Sequence, residues 1–119
     1  MPFDVAKKNV ALDAMFPVNN IIYVSLHSAS PPTLLNEIPG TVRQSATLAP
    51  AANGQKACTV QPAQHDVPAG TTVAAIGYYD AATNGNRCAW FDNADEVFGA
   101  SGKAQVTINP FTLNDVAGA

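Results

Sequence analysis

Residues 71–79 read Thr71-Thr72-Val73-Ala74-Ala75-Ile76-Gly77-Tyr78-Tyr79, and Asn84-Gly85 then precedes Arg87-Cys88-Ala89-Trp90-Phe91. β-Branched and aromatic side chains suit the pleated, half-buried surface of a strand. Asn-Gly supplies the positive φ angles that a tight reversal between twisted strands demands. Together they predict a β-hairpin, outward over 71–79 and back over 87–91, and this hairpin sets the period for the rest of the chain.

Upstream, Ile22, Val24 and Leu26 alternate with Tyr23, Ser25 and His27, which predicts a strand with one buried and one wetter face. Val42, Gln44, Ala46 and Leu48 alternate with Arg43, Ser45 and Thr47 as a second strand. After a turn at 50–54, residues 56–61 form a third, with Ala57, Thr59 and Gln61 opposite Cys58 and Val60. Residues 28–40 carry Pro31, Pro32, Pro39 and Gly40, and residues 62–70 carry two prolines and a glycine, so both read as loops. Residues 92–96 read as an acidic connection, followed by strands at 104–108 and 111–113 that Pro110 interrupts, because proline cannot donate to a ladder. At the other end, residues 5–16 contain no Gly or Pro and place Val5, Leu12, Met15 and Phe16 on one face. They predict a helix capped by Asp4 and stopped by Pro17. The expected class is mainly β: an antiparallel, jelly-roll-like β-sandwich over 20–114 with one N-terminal α-helix within 1–17, in a single domain.

A chain of 119 residues buries roughly two thirds of its extended surface on folding, enough for a core without staples. Only 13% of its residues are charged, about half the usual share, and the net charge is −3. Such a surface repels its neighbours weakly and suits a protein packed against others. Lys7, Lys8, Arg43, Lys56, Arg87 and Lys103 are scattered, whereas a phosphate backbone is held by clustered cations, so no nucleic-acid partner is expected. The longest apolar stretches, 21–24 and 73–76, fall far short of the ~20 residues a spanning helix needs, so no membrane partner is expected. Asp13, Pro17, Asn19 and Asn20 interrupt the apolar run a secretory leader would need after Lys7 and Lys8, which predicts folding in a reducing compartment. Cys58 and Cys88 have no further Cys or His at ligand spacing; two buried thiols are expected, with a disulfide the arithmetic alternative. No metal or other cofactor is expected.

Catalysis has little to work with. His27 and His65 are too few for a three-histidine zinc site, and no Gly-x-Ser-x-Gly elbow surrounds Ser25 or Ser28. His27, at a strand end, reads as an anchor for the loop that follows. In Asp92-Asn93-Ala94-Asp95-Glu96, Ala94 occupies a position where a calcium loop needs an oxygen. Tyr78 and Tyr79, like Trp90 and Phe91, alternate across their strands, so at least one of each pair is expected in the core and the rest at a partner or glycan surface.

Leu26-His27-Ser28-Ala29-Ser30-Pro31, then Asn36-Glu37, then Val42-Arg43-Gln44 follow one another in an order that resembles a family of small tailed-phage virion proteins. That family shows a strand ending in Leu-His-Thr-Ala-Asp-Pro, a loop with Asn-Glu and an Ala-Arg-Gln strand start. Gly77 and Asp80, before a Gly-containing turn and an aromatic return strand, resemble the family's hairpin. Ser30 stands where the family has Asp, and residues 61–70 replace its usual approach to the hairpin. The resemblance implies a β-sandwich virion component without enzyme activity, in many copies or as a homo-oligomer, with the major capsid protein or tail proteins as partners. The resemblance covers both head decoration and tail or fibre structures; the lack of a repetitive or coiled-coil shaft in the sequence favours a capsid decoration protein, and the alternative is a tail or fibre module that binds host surface carbohydrate through the aromatics near Trp90. Beside it stand two expectations. A charge-assisted hydrogen bond between Glu37 and Arg43 closes the first loop. The helix, with Phe3, Val5, Met15 and Phe16, and Trp90 on the hairpin are the candidate interface, though the helical stripe could equally cap the core.

Overall fold

The computed structural model describes residues 4–29 and 37–112; Phe3, Pro31 and Asn36 therefore lie outside the described residues. The predicted hairpin is present, with β6 (Thr71–Tyr79) and β7 (Arg87–Phe98) pairing antiparallel from Thr71 opposite Phe98 to Tyr79 opposite Arg87. Asn84 and Gly85 adopt φ of 55° and 75° at its tip. Asp80 closes the turn: its N–H donates to the Asn86 carbonyl at 3.1 Å and its carboxylate accepts the Asn86 N–H at 2.8 Å. A Cβ at position 85 would overlap that carboxylate, so the turn admits only glycine there.

Residues 92–96 are not a connection. They continue β7, because an edge strand can leave Asp92, Asp95 and Glu96 in water while its backbone still bonds to β6. The acids mark a break in register instead, with residues 93–95 of β7 standing against Ala74 alone.

One antiparallel sheet runs in the order β4 (Cys58–Val60), β2 (Gln44–Leu48), β1 (Ile21–His27), β6, β7. Over its inner face lie two ribbons, β3 (Gln55–Lys56) with β9 (Phe111–Thr112) and β5 (His65–Val67) with β8 (Gly102–Ala104). The fold is therefore mainly β with antiparallel sheets and one helix, α1 (Val5–Met15), in a sandwich-like, curled half-barrel whose second layer is divided. Ile22, Val24, Leu26, Ala46, Leu48, Ile76 and Tyr78 on the sheet meet Phe16, Ile38, Val67, Val106 and Ile108 in one buried cluster.

The expected strand at 56–61 is two strands in two sheets, divided where the Ala57 carbonyl accepts the Ala49 N–H at 2.8 Å. The loop expected at 62–70 contains β5, whose three residues are too few for an alternation signal between Pro62 and Pro68. The strand expected at 104–108 keeps its alternating burial but has a ladder only at its start. Farther along, the Gln61 side-chain amide replaces a neighbouring backbone, accepting the Ile108 N–H at 2.7 Å and donating to the Ile108 carbonyl at 3.0 Å. The helix ends at Met15 before Pro17, as expected, but the Asp4 side chain makes no capping bond.

Candidate functional site

Most of the motif residues converge on one face of the sheet. Arg43, just before β2, donates from Nε and Nη2 to the two Glu37 carboxylate oxygens at 3.1 and 2.9 Å, the fork-to-fork pairing expected from sequence. Its Nη1 donates to the Ala81 and Asn84 carbonyls at 2.9 and 2.8 Å, and its guanidinium lies 4.0 Å from the Tyr79 ring centre. One side chain thus ties the loop after β1 to the hairpin turn. The loop is also held by a bridge between His27 and Glu37 and by the Ile38 N–H donating to the Leu26 carbonyl at 2.9 Å. Leu26 itself is core, and Gln44 pairs in the ladder opposite Val24. Arg43→Ala is expected to cost about 2–3 kcal/mol and to open the β1–β2 connection to protease, with Arg43→Lys recovering less than half because it lacks the fork. Chemical denaturation and cleavage mapping measure both.

The face of β1 expected to be wetter is closed at its end: Ser25 and His27 are fully buried. His27 Nε2 lies 2.7 Å from Ser25 Oγ, which is 3.3 Å from the Gly77 carbonyl. A carbonyl only accepts, so the consistent assignment has Ser25 donating to Gly77 and His27 Nε2–H donating to Ser25. Burial holds the His27 pKa below its ordinary value near 6.5; Glu37 opposes the shift, and Arg43 and Arg87 add to it. The unfolded chain thus takes up a proton that the folded chain resists. His27 is expected to cost no stability above about pH 6.5 and to lower it as pH falls below, by at most about 1.4 kcal/mol per pH unit. Urea midpoints between pH 7 and 5 should show this slope, and His27→Gln should flatten it.

His65 is equally buried, donating from Nε2 to the Val24 carbonyl at 2.9 Å, so it links the two layers. Cys58 and Cys88 are free and half-buried rather than buried, and burial pushes both thiols up, away from the thiolate that chemistry needs. Among the described residues no group of three or more His, Cys, Asp or Glu could hold a metal ion.

The expected interface residues separate. Phe16 belongs to the core and packs against Phe111 at 4.7 Å between ring centres with the rings tilted by 42°, so this part of the helical stripe caps the sandwich. Val5, in the first turn, is exposed and does not line the groove that the others border. Met15 and Trp90, 44% and 46% exposed, border an apolar groove of about 470 Å³ together with Phe16, Tyr78, Phe91 and Phe111. Phe91 is 56% exposed, so neither aromatic of the return strand is core, contrary to the expectation from alternation. The reason is tertiary: β7 is an end strand of the sheet, flanked among the described residues by β6 on one side only.

The sequence reading passed over a polar anchor. Lys56 is fully buried, with Nζ donating to Asp13 at 2.7 Å and to the Asn20 side-chain oxygen at 2.9 Å. Asp13 also accepts the Ala51 N–H at 2.9 Å, and these bonds hold its carboxyl below the usual range. Asn9 accepts the Gly54 N–H at 2.9 Å, so α1 is fastened to the β3 turn largely by polar contacts. Alternation carried no signal for it: Lys56 shares its parity with Cys58 and Val60, which are half-buried and exposed in a different sheet. No helix among the described residues is long and apolar enough to cross a membrane. The chain matches no protein-family model, no curated protein and no solved structure.

Proposed function

We propose that the chain is a structural, non-enzymatic component of a tailed-phage virion, and specifically a capsid decoration protein. The observation that carries the reading is a division of labour. The groups able to do chemistry, Ser25, His27 and His65, are sealed inside and engaged in holding strands, while the outside offers an apolar groove flanked by half-exposed Met15, Trp90 and Phe91. The order of motif residues from Leu26 to Gln44 and at Gly77 and Asp80 supports the same reading, because Glu37 and Arg43 pair and Asp80 closes the hairpin turn. Its mechanism is additive burial: each copy removes apolar surface from water at about 25 cal/mol per Å², less the cost of association, and many copies multiply a modest contact. Quantitative mass spectrometry of purified particles tests it. Hundreds of copies per head are expected; a handful at one end supports the tail alternative, and absence from particles removes the reading. A saturable signal from soluble protein on a glycan array would favour the tail-tip module that exposed Trp90 leaves open.

A further inference from the structure

We propose that the outer edge of β7 is a self-association surface, on which a second copy of this chain adds its own β7 antiparallel about a two-fold axis. The inference rests on reading the chain as an assembly module and goes beyond it by naming the first partner. β7 is a strand of twelve residues at the end of the five-stranded sheet, and among the described residues no strand pairs with its outer side. An unpaired edge is a row of donors and acceptors ready for another strand. The opposite edge is dealt with by shortness, since β4 has three residues; β7 is not.

Two features of β7 select the partner. Trp90 and Phe91 stand on opposite faces of the strand and are both about half-exposed, so a neighbouring strand covers apolar surface on both sides of the sheet at once. The charges are also segregated along the strand: Arg87 lies at its start, and Asp92, Asp95 and Glu96 lie toward its end. Arg87, Asp95 and Glu96 are exposed. An antiparallel copy brings opposite ends together. With the two-fold axis at Phe91, in the regular stretch of the ladder from Ala89 to Asp92, the Arg87 end of each copy lies alongside the acidic end of the other. Parallel pairing would set acids beside acids, which a cross-strand pair resists. The register shifts at Cys88 and at 93–95 shorten the regular ladder, so the contact is small and its affinity modest, a strength suited to repetition within an assembly rather than to a permanent dimer.

Sedimentation velocity on the purified full chain from about 10 μM to about 1 mM is the test. Wild-type protein should shift reversibly from monomer to dimer over this range. Arg87→Glu alone and Asp95→Arg alone should each weaken the dimer at least about tenfold, since each adds like charge where opposite ends of the two strands meet. An equimolar mixture of the two variants, or the double variant, should recover the wild-type affinity to within about threefold, because opposite charges then meet there again. Both residues are exposed, and unchanged near-ultraviolet circular dichroism shows that the variants fold. A wild-type monomer across the range, an indifferent single variant or a mixture that fails to recover overturns the proposal. A chain that stays monomeric yet is abundant in phage heads defeats this inference and leaves the proposed function standing.

Discussion

Gly77→Ala is expected to lower stability by about 3 kcal/mol, a large loss for one methyl group. A Cβ at this position would come within 2.7 Å of Ser25 Oγ, 2.8 Å of His27 Nε2 and 2.9 Å of a Tyr79 ring carbon. None of the three can retreat cheaply. Ser25 and His27 are buried and bonded to each other, and Tyr79 is held under the Arg43 guanidinium. The methyl must push apart β1 and β6, the central pair of the sheet, where Ser25 faces Gly77. Ser25→Ala removes one of the obstructing atoms, at the expense of leaving His27 Nε2 without its partner. The double variant should therefore lose less than the sum of the two single ones, by about 1 kcal/mol. Urea unfolding of the four proteins measures the coupling, and a Gly77→Ala midpoint close to wild type would show that the two strands have room to spare.

Lys56→Ala should be comparably damaging, at about 3 kcal/mol, for a different reason. Its stem is fully buried between the helix and the β3 turn, so truncation removes three methylenes at about 0.8 kcal/mol each, together with the ammonium and its bonds to Asp13 and Asn20. Lys56→Met keeps a flexible apolar stem of similar reach and should recover more than half of the loss, which separates the packing of the stem from the bonds of its head. Asp13 gives an independent reading. Its carboxyl is held below the ordinary value of 3.8 first by the Lys56 hydrogen bond and then by the Ala51 N–H. The stabilisation this brings is present above the ordinary value and is lost as pH falls through the lowered one. In Lys56→Met the Asp13 titration followed by NMR should move up toward the ordinary value, and faster amide exchange in α1 should show the helix loosened.

Legibility followed the range of the physics. Wherever a residue's role was fixed by its neighbours along the chain, the residues themselves announced it: the alternation of Ile22, Val24 and Leu26, the Asn84-Gly85 reversal, the helix before Pro17, and the Glu37–Arg43 pair only six residues apart. Short strands escaped notice because three residues such as His65–Val67 are too few to show a period. The acids at 92–96 misled because polarity says that a residue is in water without saying whether its backbone bonds to a strand.

Placement in the sheet was beyond the reach of periodicity. That β7 is an edge, that Ser25 and His27 are enclosed beside Gly77, and that Lys56 fills a buried slot between Asp13 and Asn20 all depend on partners 36 to 52 residues away in sequence or on the order of strands. Alternation tells a strand which of its sides is apolar. Only the assembled fold decides what stands on each side, because hydrogen-bond partners and enclosing side chains arrive from segments whose spacing along the chain carries no trace of their meeting.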